Sequence, residues 1–169
     1  MECFADAIIV AMGSNLSGDY ASSTVLLEAA LSRFSGAGLA VTRRSSWWRS
    51  AAWPDPSRPD YLNGVVLVET ALGQDDLMRR LLDLERLFGR HRNRPNDPRT
   101  LDLDLIAYGR SVSDSADLTL PHPRAHERLF VMGPLAEIAP EGVHPTLRQS
   151  ARELAARASV GIDARPLVS

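Results

Sequence analysis

Residues 7–12 form an unbroken apolar run that stops at Gly13-Ser14-Asn15, a pattern that predicts a short buried strand closed by a turn. Thr24 and the serines before it can cap a helix through about Phe34, with Val25, Leu26, Ala29, Ala30 and Leu31 as its apolar stripe. Gly36-Ala37-Gly38 breaks that helix. Residues 39–48 are strand-like, and Pro54, Pro56 and Pro59 then mark a loop unsuited to a central strand. Residues 61–70 form the next strand, with Tyr61, Asn63, Val65 and Leu67 on one face and Leu62, Val66 and Val68 on the other. Asp75 and Asp76 favour a helix start, Leu77, Leu81, Leu84 and Phe88 make its stripe, and Gly89 ends it. A strand over residues 101–108 completes the order β-α-β-β-α-β. That order predicts an α+β fold of the ferredoxin-like, split βαβ kind, with helices packed on one face of a mainly antiparallel sheet. The tail reads as a hairpin over 112–120 and helices near 129–138 and 147–156.

The length of 169 residues suits a single domain, here 1–169, with a sizeable core. One cysteine, Cys3, excludes an intramolecular disulfide and fits a reducing compartment. No apolar run reaches the roughly 20 residues needed to span a bilayer, and the first six residues lack a basic n-region, so the expectation is a cytoplasmic protein. All 19 basic residues are arginine, which removes Schiff-base lysine chemistry and the lysine of a P-loop. Seven of them fall between Arg79 and Arg99 against Asp83, Glu85 and Asp97, whereas the whole chain carries −2. One focused basic segment suits a small anionic ligand better than nucleic acid.

Asp102 and Asp104 carry the sharpest chemical signal. In a strand, residues two apart share a face, roughly 6.6–7 Å apart along the backbone. Two carboxylates at that spacing can lean together over metal ions about 3.5–4 Å apart, as in two-metal phosphoryl chemistry. The competing reading is a solvated strand face. Arg90, Arg92, Arg94 and Arg99 lie in the loop before them and tip the balance towards a polyphosphate with Mg²⁺. A solvated, arginine-coated loop is the alternative there. Glu85 borders an apolar stripe and needs a partner, either a ligand or an arginine. His122 and Arg128, in a turn before a helix, can meet a phosphate. His122 and His126 have no cysteine or acidic motif between them and do not make a zinc set. Tyr61 and Asn63, near Trp53, form a plausible slot for a flat heterocycle; core packing is the ordinary role of such an aromatic.

Gly13-Ser14-Asn15-Leu16, Pro59-Asp60-Tyr61-Leu62-Asn63, Glu85 with Gly89-Arg90-His91-Arg92, Pro98-Arg99-Thr100-Leu101-Asp102-Leu103-Asp104 and Leu120-Pro121-His122 occur in an order and spacing that resembles the 6-hydroxymethyl-7,8-dihydropterin pyrophosphokinases of folate biosynthesis. The resemblance covers about residues 7 to 145. It implies transfer of the β,γ-pyrophosphoryl group of ATP to the pterin hydroxymethyl oxygen, with release of AMP. It also implies two Mg²⁺ ions on Asp102 and Asp104, Arg90 and Arg99 as catalytic groups, and Arg92 gripping the nucleotide. Glu85, Arg99, Leu105, Thr119, His122 and Arg128 match the ATP-side positions. Tyr61, Asn63 and Phe130 match the pterin side, where the resemblance also puts Ser50, Ala51 and Trp53.

Some positions depart from the pattern. Asn96 and Asp97 stand where a loop tryptophan is often found, and Ser50-Ala51-Ala52-Trp53 replaces a common Thr-Pro-Pro-Leu. Asp117 occupies an arginine position, and Pro123 an aromatic one. The partners expected are ATP and a reduced pterin, with no nucleic acid, no membrane and a monomeric chain. A non-catalytic nucleotide-binding domain of the same fold and a ferredoxin-like RNA-binding domain are the alternatives.

Overall fold

The computed structural model describes residues 6–52, 55–89 and 100–167. Its elements in chain order are β1 (Ile8–Ser14), α1 (Ser23–Ser32), β2 (Ala40–Arg44), β3 (Trp48–Ser50), β4 (Tyr61–Glu69), α2 (Gln74–Leu87) and β5 (Asp102–Tyr108). There follow β6 (Ser113–Asp114), β7 (Thr119–Leu120), α3 (Leu129–Ile138), α4 (Ala151–Arg157) and β8 (Arg165–Pro166). The main sheet runs β5-β1-β4-β3-β8, with β2 also paired to β4, and all its pairings are antiparallel. β4 thus separates β1 from β2 and β3, the ferredoxin-like arrangement expected from the sequence. The hairpin of the tail is β6 paired with β7.

Both faces of the sheet are covered, a correction to the one-face expectation. Leu62, Val66 and Val68 of β4 pack with Leu26, Leu27 and Ala30 of α1 and Leu77, Leu81 and Leu84 of α2. Val65 and Leu67 point the other way, onto Val131, Met132 and Leu135 of α3 and Leu154 of α4. A central strand apolar on both sides needs cover on both sides.

Three elements differ in detail from expectation. Ser22, accepting the Val25 N–H, caps α1 and sets its phase, so Leu27 is buried and Val25 stands 46% exposed. The second tail helix starts at Ala151 rather than near Leu147, because Ser150 and Glu153 form a capping box. The strand expected over 39–48 splits into β2 and β3. At the break, Ser45 bonds to Val65 through its backbone N–H and again through its hydroxyl oxygen. Trp47 turns into the first core and lies over Gly64, where a Cβ would come 2.6 Å from its ring. Gly64→Ala should therefore overpack a rigid indole and destabilise the fold by about 1–3 kcal/mol, read as a lower midpoint in urea or heat.

His144 is 4% exposed, and its Nδ1 accepts the N–H groups of Thr146 and Leu147 at 3.3 and 3.1 Å. Burial first, and the neighbouring His126 second, push its pKa down to about 4. The unfolded ring takes a proton near 6.5, whereas the folded one resists until about 4. Protons therefore favour the unfolded chain as pH falls through that window, and the stability present above 6.5 is lost. Between pH 7.5 and 5 this group alone should cost about 2 kcal/mol. Urea titrations at the two pH values measure it, and His144→Gln should flatten the difference.

Among the described residues no helix is long and apolar enough to cross a membrane.

Candidate active site

The face of the sheet beneath α3 changes character along its length. At one end Ile9, Ala11, Val65, Leu67 and Ile106 are sealed by the helix. At the other end the same face becomes polar. There the register sets Asp102 of β5 opposite Gly13 of β1, Gly13 opposite Asn63 of β4, and Asn63 opposite Trp48 of β3. One residue pair inward, Asp104 lies opposite Ala11, and Ala11 opposite Val65. Leu103 and Leu105 enter the first core, so Asp102 and Asp104 share the opposite face, both half-buried.

Gly13 is essential to this row. A Cβ there would stand 2.6 Å from Oδ1 of Asn63, so the glycine is the space in which the Asn63 amide lies between the strands. Asn15, 3% exposed, donates through Nδ2 to the Pro59 carbonyl at 3.3 Å. That bond ties the Gly-Ser-Asn turn to the segment leading into Tyr61, and Tyr61 pairs with Ser50 of β3 on the same face as Asn63. Tyr61 is half-buried, Ser50 buried and Ala51 exposed.

His122 stands beside β5, close enough for the Asp102 charge to act on its ring. Its N–H donates to the Ile106 carbonyl at 2.9 Å, directly after the cis Leu120-Pro121 bond and β7, which carries Thr119. Burial, then the positive Arg128, lower its pKa to about 4, while Asp102 acts in the opposite sense. The Nδ1 atom accepts the Arg124 N–H at 3.2 Å, so the neutral ring carries its proton on Nε2. It therefore offers a hydrogen bond without a charge. Arg128 supplies the charge, at the start of α3, with its guanidinium 5.8 Å from the Phe130 ring centroid.

Not every anticipated residue joins this face. Glu85, 2% exposed, and Leu105 are buried on the α1–α2 side of the sheet. Arg90, Arg92, Arg99 and Trp53 lie outside the described residues. Two supporting residues had no sequence signal, because their partners are remote in the chain. Glu137 of α3 accepts the Ser46 N–H and hydroxyl and the Trp48 indole N–H, fixing β3 to the helix. Gly133 makes room for the Trp48 ring, where a Cβ would be 2.6 Å away. The other is Asp163, whose Oδ2 accepts the Ala51 N–H at 2.7 Å.

The fold and this polar row define a ferredoxin-like α+β protein with paired carboxylates and a histidine–arginine group at one end of its sheet. Residues 9–140 match the family model described as 7,8-dihydro-6-hydroxymethylpterin-pyrophosphokinase (HPPK), and the chain belongs to that family. It is 50% identical over 109 residues to the 2-amino-4-hydroxy-6-hydroxymethyldihydropteridine pyrophosphokinase of Synechocystis sp., which is 64% of this chain and 55% of that protein. The enzyme of the same name from Haemophilus influenzae is 38% identical over 136 residues, 80% of this chain and 83% of that one. A crystal structure of wild-type HPPK-DHPS from Plasmodium falciparum superposes with a TM-score of 0.69 at 10% identity, a likeness of fold. That superposition covers 90% of this chain and 44% of the Plasmodium chain.

Proposed function

We propose that this protein transfers the β,γ-pyrophosphoryl group of ATP to the hydroxymethyl oxygen of 6-hydroxymethyl-7,8-dihydropterin in folate biosynthesis. The observation that carries the reading is the row Asp102–Gly13–Asn63, which sets the Asp102 carboxylate and the Asn63 amide on one face of one sheet, with Asp104 one residue pair inward. In the reaction the hydroxymethyl oxygen attacks the β-phosphorus, the bond to the α,β-bridging oxygen breaks, AMP departs and the hydroxyl proton is released. Catalysis of this kind rests on positioning and electrostatics more than on a strong base.

The donor set fits Mg²⁺, which is held by one or two carboxylates and completes its shell with water and phosphate oxygens. Asp102 and Asp104 would hold it, and among the described residues no cluster of three or more Asp, Glu, His or Cys competes as a closed metal cage. When bound, such ions neutralise the phosphates and polarise them towards attack. His122 donates through Nε2 and Arg128 adds positive charge on the nucleotide side, with Thr119 beside them. Arg90, Arg92 and Arg99 would add guanidinium groups to the nucleotide side. Asn63 reads the polar edge of the pterin, Tyr61 and Phe130 flank its ring, and Ser50, Ala51 and Trp53 border it.

The test is incubation with ATP, MgCl₂ and the reduced hydroxymethylpterin, followed by chromatography. Stoichiometric AMP and pterin diphosphate are expected. ATP binding with no AMP would instead assign the chain to the non-catalytic nucleotide-binding class.

A further inference from the structure

The family match ends at residue 140, yet the chain after α4 returns to the pterin side of the proposed site. The N–H groups of Ser159 and Val160 donate to the Glu127 carbonyl at 3.0 and 2.9 Å, and the Val160 carbonyl accepts the Leu129 N–H at 2.9 Å. The segment is thereby pinned to the first turn of α3, on either side of Arg128. Gly161 follows with φ of +65° and lies against the Phe130 ring, where a Cβ would stand 2.5 Å from Cδ1 and 2.9 Å from Cε1. A side chain at 161 is excluded twice, by the left-handed backbone and by the ring.

The segment then crosses to the sheet. Ala164 donates back to Gly161, Arg165 and Pro166 pair with Arg49 and Trp48, and the Leu167 N–H donates to the Trp47 carbonyl at 2.8 Å. Between these anchors, the Asp163 carboxylate accepts the Ala51 N–H at 2.7 Å. β3 is only three residues long, so its own ladder gives little restraint to the loop that leaves it. A charge-assisted bond at the first residue of that loop fixes its departure angle.

We propose that residues 159–167 are a built-in part of the pterin side, with Asp163 and Gly161 as positioning residues for the Ala51 loop and the Phe130 ring. The inference rests on the pterin reading given above and extends it to a segment outside the family match. It ties the two walls that Phe130 and Ala51 supply to one continuous stretch of chain, so loosening that stretch at Asp163, away from its anchors beside Arg128, lowers affinity for the flat substrate and leaves the nucleotide side alone.

The test compares wild type, Asp163→Ala, Asp163→Asn and Gly161→Ala. Pterin affinity is read directly from pterin fluorescence, and KM values for pterin and ATP from AMP formation. Asp163→Ala should weaken pterin binding about five- to twentyfold, with ATP KM and the rate at saturating pterin within about twofold of wild type. Asp163→Asn, whose amide oxygen still accepts the Ala51 N–H, should restore most of that affinity. Gly161→Ala, whose methyl group meets the Phe130 ring, should also weaken pterin binding. Asp163 is exposed at the surface, so its variants test the idea even if Gly161→Ala folds poorly. Unchanged pterin affinity in Asp163→Ala, or equal losses for both substrates, would overturn the proposal. A wild-type chain that binds pterin but makes no AMP would overturn the enzymatic reading alone, and the fluorescence comparison would still decide this one. A wild-type chain that binds no pterin overturns both.

Discussion

Replacing either Asp102 or Asp104 by alanine should reduce AMP formation about 10³-fold or more, with the fold retained. Both carboxylates are half-buried on β5, and neither belongs to an apolar cluster, so truncation opens no cavity in a core. Each also makes polar interactions of its own, which alanine gives up while it relieves the repulsion between two like charges. The thermal midpoint should therefore move by only a few degrees, in either direction. Catalysis is another matter, since a carboxylate that organises the phosphates acts on charge rearranged in the transition state. The loss should fall on turnover far more than on the apparent affinity for pterin, which is read on the other side of Gly13. Asp102→Asn separates charge from shape, because it keeps the side-chain volume and one acceptor oxygen. It should be nearly as damaged as the alanine variant. Turnover close to wild type in any of these variants would remove the carboxylate pair from the mechanism.

How much of this was legible in the chain depends on the range over which each contact acts. The order of strands and helices followed from local signals: the glycines after α1 and α2, the serine caps and the alternation in β4. Cover on both faces was also latent there, since Leu62, Val66 and Val68 alternate with Val65 and Leu67 and neither set is polar. A strand with two apolar faces cannot leave one to water. The split of 39–48 was not legible, because adjacent tryptophans read as strand formers. Only Gly64 on β4 and Gly133 on α3 show that Trp47 and Trp48 go to opposite sides of the sheet. The carboxylate pair could be read from an i, i+2 spacing, which needs no knowledge of partners. Asp163 and Glu137 could not, because their bonds span 112 and 89 residues of chain, respectively. Glu85 showed its burial in the sequence but not its side of the sheet, which depends on where α2 docks.

Gly13→Ala should raise the pterin KM about 10- to 100-fold while leaving stability and ATP KM nearly unchanged. Alanine is at ease in an extended strand, and Gly13 does not use a left-handed backbone, so the substitution carries no conformational strain. Its methyl group meets chiefly Oδ1 of Asn63 at 2.6 Å, the far end of a side chain that can swing away. The fold thus accommodates the change by giving up the position of one amide, the group proposed to read the pterin edge. Asn63→Ala should reproduce the defect without touching Gly13. If the glycine acts only by giving Asn63 its place, the two losses will not add: Gly13→Ala with Asn63→Ala should be no worse than Asn63→Ala alone. Full additivity in that cycle would mean that Gly13 serves the substrate by some route other than the amide across the strand. An unchanged KM in Gly13→Ala would show that Asn63 does not need its place between the strands to bind pterin.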